Sequence, residues 1–215
     1  TTEVFSVLYS PDLDEKNVFK KRFEWNENLR LLKVIQKRNG EVVLMGEQQS
    51  YMKMQLVDSD GEQEDVYKNQ FGSILINVID SSGNEKLQVS VVKDQFKNSL
   101  VPTDSYEGSL SHFGTVLGDQ YVLLFLDNRR NKNLVDGQML LPYEEGRYAD
   151  LVSYVVSPDN GEVTKSILFD TKHLDIGAVD GFSTNRIFKV NDKELILEMY
   201  SVKKKSNLLI KVTLE

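Results

Sequence analysis

The chain has 215 residues, with 26 basic and 33 acidic side chains and a formal net charge of -7. This balance argues against the clustered basic face on which binding to nucleic acid depends, so we expect no nucleic-acid partner. The absence of cysteine excludes disulfides, thiolate zinc sites and cysteine nucleophiles, and no apolar run approaches the roughly 20 residues that a transmembrane helix needs.

The N-terminal part predicts one strand followed by an irregular link. Residues 3–10, EVFSVLYS, are strand-like, and no basic region or cleavage site of an export signal comes before them, as expected of a mature protein or a trimmed fragment. The charged segment from Asp14 to Leu31 lacks a clean helical stripe, so it predicts mostly loop or a short helix. Within it, we expect Phe23 and Trp25 to anchor the segment on a sheet edge. The alternative is that Trp25 is a platform on which a sugar ring stacks.

From Leu31 onward the sequence predicts a series of β-hairpins, because short runs of Val, Ile, Leu, Tyr and Phe alternate with Gly, Asn, Asp and Ser. Hairpins of a first type have their turns at Asn39-Gly40, Gly118-Asp119 and Asn191-Asp192. Hairpins of a second type alternate with them and have their turns at 81–84 and 158–161. These residue types tolerate the positive φ angles that tight hairpin turns require.

The spacing of the turns predicts an internal repeat. Gly118 follows Asn39 by 79 positions, and Gly161 follows Gly83 by 78 positions. Two independent landmarks that shift by nearly the same amount indicate a duplicated four-stranded unit. A third copy follows sooner, with Asn191 only 73 positions after Gly118, and this copy has three strands.

The repeat predicts one all-β domain, 1–215, with units at about 31–95, 112–172 and 183–215. We expect four-stranded antiparallel units arranged as in a β-propeller, with the strand at 3–10 as a candidate to complete the third unit. Three blades are too few for a closed propeller, which normally has about 4–8 blades, so we expect part of a larger one. The alternatives are a β-sandwich and an open array.

The strands and turns follow one succession through the repeats: EVVLMGEQQSY, FGSILINVIDSSGNEKLQVSVVKDQ, GDQYVLLFLDNRRNKNL and LVSYVVSPDNGEVTKSILF. From about Leu31 onward this succession resembles a family of uncharacterised Bacteroidota envelope proteins. In that family a strand with a Glu-Gln-Tyr-like end precedes a long variable loop, and a strand like YVLLFLDN leads into a Lys-Asn-Leu segment. The resemblance implies a periplasmic, secreted or outer-membrane-associated protein of a Gram-negative bacterium, and it implies no catalytic residues.

Two long connections, one in each of the first two units, are the candidate binding surface, because insertions at equivalent places in a repeat protein often form a binding face. The first, about Gln48 to Gln70, has Tyr51 and Tyr67 beside the acidic residues Asp58, Asp60, Glu62, Glu64 and Asp65. The second, about Asn128 to Tyr148, has the basic and aromatic residues Arg129, Arg130, Lys132, Tyr143, Arg147 and Tyr148. We expect the acidic and the basic connection to lie side by side. The alternative is two solvated hairpin extensions that pair with each other across the top of the sheet.

The acidic connection also contains a weak calcium candidate, formed by Asp58, Asp60 and Glu62 in the segment DSDGEQED. An EF-hand loop needs Gly at its sixth position, whereas Gly61 is the fourth residue of this segment. A turn is therefore the favoured interpretation, and we expect no metal site.

Other sequence signals for chemistry are sparse. His112 and His173 lack the spacing of metal ligands, which predicts surface or strand-end histidines. The chain has no phosphate-binding loop, dinucleotide-binding fingerprint or nucleophile elbow. We therefore expect no cofactor and no catalytic residues.

These patterns predict a non-enzymatic protein-interaction or scaffold module of a bacterial cell-envelope protein, within an outer-membrane assembly. Its expected partner is another protein or the rest of its own chain, and any association with a membrane would run through a partner or a missing anchor. One alternative is a glycan-binding or glycan-processing propeller with an unrecognised carboxylate pair. A structural half-domain with a bare apolar face at one end of the array is the other.

Overall fold

The computed structural model describes residues 2–9, 15–23, 28–57, 59–100, 110–134, 138–145, 149–170, 183–201 and 205–213. Strands account for 66% of the structure and helices for 5%. The sheets are antiparallel apart from one short parallel pair. The prediction of an all-β protein with antiparallel sheets is therefore confirmed.

The strands that the structure describes are, in chain order, β1 (Thr2–Tyr9), β2 (Glu15–Phe23), β3 (Leu29–Gln36), β4 (Val42–Val57), β5 (Gln63–Ile79), β6 (Glu85–Val91), β7 (Gln95–Ser99), β8 (Phe113–Leu117), β9 (Gln120–Asn128), β10 (Tyr143–Glu144), β11 (Ala149–Val156), β12 (Val163–Asp170), β13 (Ile187–Lys189), β14 (Glu194–Ser201) and β15 (Ser206–Thr213). Two short 3₁₀ helices, Arg129–Asn133 and Thr184–Arg186, lie between strands. In the described ranges, neither helix has the length and apolar character to cross a membrane.

Three meanders follow one another along the chain. The first sheet contains β3, β4, β5 and β6 in that spatial order, and the second contains β8, β9, β11 and β12 in the corresponding order. The third sheet contains β13, β14 and β15. The first sheet is widened by β7, which pairs with the outer half of β5, and by β10, which runs parallel to β7.

The turns of the first two meanders have matching backbone conformations. Gly83 joins β5 to β6 with a φ of 88°, and Gly161, 78 positions later, joins β11 to β12 with a φ of 72°. A side chain on an L-residue strains the backbone in this region, whereas glycine adopts it freely. The repeat seen in the sequence therefore corresponds to a repeated turn geometry.

The N-terminal segment differs from the prediction. Residues Glu15–Phe23 form a strand and not a loop or short helix, because they pair with β1 from Thr2↔Phe23 to Tyr9↔Glu15. Within the described strands, β1 pairs with β2 and not with the third sheet, whose missing strand it was a candidate to supply. Trp25 lies outside the described residues.

The core lies between the stacked sheets, and the middle strand β9 faces both ways. Alternate residues of a strand point to opposite faces. Tyr121, Leu123 and Phe125 belong to the core shared with the first sheet, whereas Val122 and Leu124 belong to the core shared with the third sheet. All of these side chains are buried, so the second sheet is enclosed on both faces.

Candidate functional site

The first long connection is an extension of two strands and not a loop. Beyond the body of the first sheet, Gln49–Val57 of β4 pairs with Gln63–Phe71 of β5 in continuous antiparallel register. We call this two-stranded extension the ribbon. The β4 half contains strand-favouring residues such as Tyr51 and Val57, and the β5 half contains Val66, Tyr67 and Phe71.

The ribbon brings the two predicted tyrosines together. The rings of Tyr51 and Tyr67 meet edge to face, with centroids 6.0 Å apart. On the same face, Lys53 and Asp65 form an ion pair with 2.7 Å between the ammonium and a carboxylate oxygen. Of the other acidic residues here, Glu64 is exposed on the strand surface and Glu62 is exposed just before β5 begins.

Large apolar side chains are exposed along the β4 half of the ribbon. The exposed fractions are 56% for Tyr51, 62% for Met52, 54% for Leu56 and 63% for Val57. Met52, Met54 and Leu56 alternate with polar or aromatic residues, so they share one face. An apolar stripe of this kind on a projecting strand is typical of a surface that meets another molecule.

Within the described residues, the outer edge of the β4 half of the ribbon is unpaired. β3 pairs with β4 only as far as Leu29↔Gln48, and Gln49 donates its backbone N–H to the carbonyl of Asn28 at 2.7 Å. From Ser50 to Val57, no further strand pairs with this edge in the described part of the chain. Every second backbone N–H and C=O along the edge is therefore available to another strand.

The second long connection folds back onto the first sheet. Asn128 begins the 3₁₀ helix by accepting a hydrogen bond on its side chain from the Arg130 N–H at 3.0 Å. The buried side chain of Asn131 donates to Asp127 at 2.6 Å and to the Leu141 carbonyl at 2.8 Å. The segment then forms β10 beside β7, so the two long connections lie in one sheet.

This arrangement overturns one predicted contact residue. Tyr143 is only 1% exposed and packs in the core with Phe71 and Leu126, because β10 pairs with β7 and directs the ring inward. Arg129 is half-buried, and its Nε lies 3.9 Å from a carboxylate oxygen of Asp150. Arg130 and Lys132 are exposed, and Arg147 and Tyr148 lie outside the described residues.

The weak calcium candidate has little geometric support. Asp60 and Glu62 are exposed, Gly61 has a φ of 83° as a turn glycine does, and Asp58 lies outside the described residues. The described part of the chain contains no group of three or more His, Cys, Asp or Glu side chains that could hold a metal ion.

A buried polar group that the sequence did not predict lies between the first and second sheets. We call it the Glu47 cluster, and its members are Glu47, Lys93, Gln95, Ser111 and His112. Oε1 of Glu47 is 2.7 Å from the Lys93 Nζ and 3.2 Å from the His112 Nδ1. Its second oxygen accepts a hydrogen bond from the Ser111 hydroxyl at 3.0 Å. The histidine predicted at a surface or strand end is therefore buried beside a carboxylate 65 positions away.

The Glu47 cluster ties the two sheets together. Lys93 also donates to the Phe71 carbonyl at 3.1 Å and to the Gln95 side chain at 2.9 Å. The amide of Gln95 in turn donates to the Leu126 carbonyl on β9 at 2.7 Å. These bonds link strands of the first sheet to the second sheet through groups that are almost wholly shielded from water.

The charges of the cluster are mutually dependent. Burial raises the pKa of the Glu47 carboxyl, but Lys93 and His112 outweigh burial and lower that pKa to about 2. Burial lowers the pKa of His112, and the attraction of Glu47 opposes it. The imidazole is therefore neutral near neutral pH, and its Nδ1 carries the proton that it shares with Glu47.

The order of the groups in the Glu47 cluster fits a role in holding the two sheets together. In a hydrolytic triad, histidine lies between serine and the acid. Here Glu47 lies between Ser111 and His112, and the side chains of Ser111 and Glu47 are almost wholly buried. Ser111 also has a φ of 72°, a conformation uncommon for residues other than glycine, which aims its hydroxyl at Glu47.

One feature of the sequence could have indicated this cluster. By the repeat spacing of 79 positions, Glu47 corresponds to Leu126, an apolar residue that faces the third sheet. A carboxylate at a position that is apolar in the next repeat indicates a buried charge with partners elsewhere. Its partners Lys93 and His112 lie outside the strand pattern and could not be identified from the turn spacing.

A cleft runs along β3, β8 and β13, the first strands of the three sheets. One part, of about 350 Å³, is lined by Leu32, Lys33, Ser111, His112, Phe113, Gly114, Thr184, Asn185 and Ile187. An adjoining part, of about 580 Å³, is lined by Lys33, Ile35, Gln36, Lys37, Arg38, Asn39, Thr115, Val116, Gly118, Asp119, Lys189 and Asp192. Lysines from both outer sheets reach β8: Lys33 donates to the Gly114 carbonyl at 2.7 Å and Lys189 to the Val116 carbonyl at 2.9 Å.

The outer face of the third sheet has mixed character. Phe188 and Leu209 are 55% and 69% exposed, and they share this face with an ion pair between Glu194 and Lys211. The apolar end face expected of a structural half-domain is therefore interrupted by charged side chains on this sheet.

No family model, curated protein or solved structure matches the chain in the comparisons with known proteins.

Proposed function

We propose that the chain is a non-enzymatic protein-interaction module in which the ribbon binds an extended segment of a partner protein. The observation that carries this proposal is the free edge of β4 from Ser50 to Val57, lined with exposed apolar side chains. A partner segment adds to this edge as a further strand, with its backbone satisfying the free N–H and C=O groups.

The side chains of the ribbon define the chemistry of the partner. An added strand that alternates apolar and polar residues places its apolar residues beside Met52, Met54 and Leu56. Methionine adapts its shape to different partners because its side chain is unbranched and flexible. The Lys53–Asp65 ion pair lies on the opposite face, so a polar residue of the partner strand meets it there.

We further propose that the stacked meanders are blades of a larger β-propeller and that the protein belongs to the cell envelope of a Gram-negative bacterium, in the periplasm, secreted or at the outer membrane. The matched turn positions and the stacking of consecutive four-stranded sheets support the first part. The resemblance of the strand and turn segments to Bacteroidota envelope proteins supports the second part.

The glycan alternative has less support in the geometry. A glycosidase needs two convergent carboxylates that are free to act on the sugar. The cleft contains Asp119 and Asp192, but Asp192 is 2.8 Å from the Lys189 ammonium and Asp119 is 3.9 Å from that of Lys37. Both carboxylates therefore already have a cationic partner.

The proposal is tested by a photocrosslinking amino acid at Met52 in the full chain, expressed in its source cells. Met139, which is 85% exposed but lies outside the ribbon, is the matched control position. We expect one discrete crosslinked protein from position 52 and none from position 139. Added to the chain, the purified partner should slow hydrogen exchange of the amides of Ser50–Val57.

Two variants make this test specific. Met52→Asp with Leu56→Asp should abolish binding of the purified partner, because two carboxylates would have to be buried against apolar side chains. Met139→Asp should leave binding unchanged. A crosslink that maps to a second copy of this chain, or unchanged amide exchange when the partner is bound, contradicts the proposal. Oligosaccharide binding by the chain, with no crosslink from position 52, favours the glycan alternative.

A further inference from the structure

We propose that the smaller part of the cleft, around Lys33, is a binding site for a carboxylate attached to an apolar body. The site lies between β3, β8 and the 3₁₀ helix before β13, away from the ribbon. The ligand would be a small free carboxylic acid or the C-terminal carboxylate of a peptide, which share the same chemistry.

The first argument is the uncompensated charge of Lys33. In the described part of the chain, its ammonium contacts the Gly114 carbonyl at 2.7 Å and lies 4.8 Å from the centre of the Phe113 ring, and it forms no ion pair. Lys37 and Lys189, which line the adjoining part of the cleft, each lie within 2.9 Å of a carboxylate oxygen. Lys33 therefore differs from its neighbours in lacking an anion.

The second argument is the number of donors that remain. An ammonium group has three N–H donors, and the Gly114 carbonyl accepts one of them. That bond also fixes the side chain in place, so little rotamer freedom would be lost when a ligand binds. Partial burial lowers the pKa of Lys33, which agrees with a cation that would gain from an anionic partner.

The third argument is the lining of the cleft. Leu32, Phe113 and Ile187 supply apolar surface, while Thr184 and Asn185 supply polar groups at the side of the third sheet. A volume of about 350 Å³ is at the lower end of the range of about 300–1,000 Å³ for small-molecule sites, which combine apolar walls with a few polar groups. A single ammonium with an apolar wall suits a monocarboxylate better than a phosphate, for which arginine forks are the usual partners.

The Glu47 cluster supports the rigidity of the site. Ser111 and His112, which form its floor, are both held by Glu47 at 3.0 and 3.2 Å. Next to them, a methyl group on Gly114 would come within 2.5 Å of the Met45 sulfur, so β8 lies tight against the first sheet here. The walls are therefore positioned by packing before any ligand arrives.

The test uses the full chain with hexanoate as the probe and hexanamide as its uncharged counterpart. We expect saturable changes in the amide NMR signals of Lys33, Phe113 and Gly114 with hexanoate, and at least about tenfold weaker binding of hexanamide. Lys33→Met should weaken hexanoate binding by about tenfold or more. Lys189→Met is the matched control, because it removes the other lysine that reaches β8 and should leave binding unchanged.

A further pair of probes distinguishes the two sources of the carboxylate. A tripeptide that ends in leucine, with either a free or an amidated C-terminus, should bind more tightly than hexanoate only in its free form if the ligand is a peptide terminus. Hexanoate should bind at least as tightly if the ligand is a small acid. Equal binding by Lys33→Met and the wild type overturns the proposal, provided that thermal unfolding shows both to be folded. Absence of saturable binding by all the carboxylates also overturns it, and neither result affects the ribbon proposal.

Discussion

The two interfaces between the stacked sheets use the same strand geometry but different chemistry. Between the second and third sheets the core is apolar, with Leu126 on β9 packed near Leu197 and Met199 on β14. Between the first and second sheets the position that corresponds to Leu126 is Glu47, surrounded by the charged and polar groups of its cluster. Apolar packing is not directional, whereas the hydrogen bonds of the cluster require one alignment of the sheets. The first interface is therefore specified more strictly than the second.

The largest expected effect comes from breaking the buried ion pair at the first interface. Lys93→Met leaves the Glu47 carboxylate buried without its cation, so we expect a loss of about 3–5 kcal/mol in the free energy of unfolding. Urea denaturation of the full chain measures it. Leu126→Ala at the second interface is the counterpart and should cost about 2–5 kcal/mol through lost packing.

A double variant distinguishes stabilisation by the Glu47–Lys93 ion pair from stabilisation by apolar packing. Glu47→Leu combined with Lys93→Met makes the first interface resemble the second, so its cost should be less than the sum of the two single costs by about 1 kcal/mol or more. If the costs of the two single substitutions simply add, the ion pair is not the reason why this interface is sensitive to substitution.

Acid should weaken the first interface selectively. The pKa of Glu47 is about 2 in the folded protein against an ordinary value of 4.5, so its stabilisation is present above pH 4.5 and is lost as the pH falls toward 2. The loss should be on the order of 3 kcal/mol. The lowered pKa of His112 acts in the same direction from about pH 6.5 downward, because the unfolded chain binds the proton first.

Unfolding free energies measured from pH 7 to pH 3 test this expectation. The slope for Glu47→Gln should be shallower than for the wild type below pH 4.5, because this variant has no carboxyl at position 47 to protonate. The slope for Leu126→Ala should match that of the wild type. A Glu47→Gln slope equal to that of the wild type would show that other carboxylates control the acid response.

Alanine substitutions at two turn glycines compare the packing of the two interfaces, with smaller expected losses of stability. Gly161 and Gly118 both have positive φ, but a methyl group on Gly161 would lie 2.9 Å from Leu87 and Val89 of the first sheet, whereas one on Gly118 would lie 3.7 Å from the Asp192 carbonyl of the third sheet. We expect Gly118→Ala to cost about 1 kcal/mol through backbone strain. Gly161→Ala should cost about 1–3 kcal/mol more, through overpacking. Thermal unfolding of both variants measures the difference, and equal costs would mean that the first interface accommodates the extra methyl group.

The smallest expected effects are those of the lysines that bond to β8 from either side. Lys33→Met and Lys189→Met each remove one hydrogen bond to a β8 carbonyl, so each should cost about 1 kcal/mol. Differential scanning calorimetry should show similar shifts for the two. A cost above about 3 kcal/mol for either variant would show that the lysine helps to hold the sheets together, as the Glu47 cluster does, and does not only line the cleft.

Much of the all-β organisation could be predicted from local residue patterns. The turns at Gly83 and Gly161 were recognisable because glycine is favoured where φ is positive. Their separation of 78 positions nearly matches the 79 positions from Asn39 to Gly118, and this agreement indicated the repeat. The strand Glu15–Phe23 escaped prediction because its charged sequence gives no periodic signal, and its partner strand supplies the hydrogen bonds. Neither the expected loop nor an extension paired with the second connection describes the ribbon, because its two halves pair with each other.

The candidate site residues also divide into those that local patterns predicted and those whose position depends on long-range contacts. Local residue patterns placed Tyr51 and Tyr67 on one long connection and the charged Arg130 and Lys132 on the other, because turn spacing and polarity are local properties. The burial of Tyr143 depends on a long-range contact, since β10 joins β7 from 48 positions further along the chain. Within the described residues, the stacking of the sheets brings Lys93 and His112 to Glu47 and pairs Lys33 with no carboxylate. Ion pairs and clefts depend on distances between side chains from different sheets, and those distances are fixed only when the sheets stack.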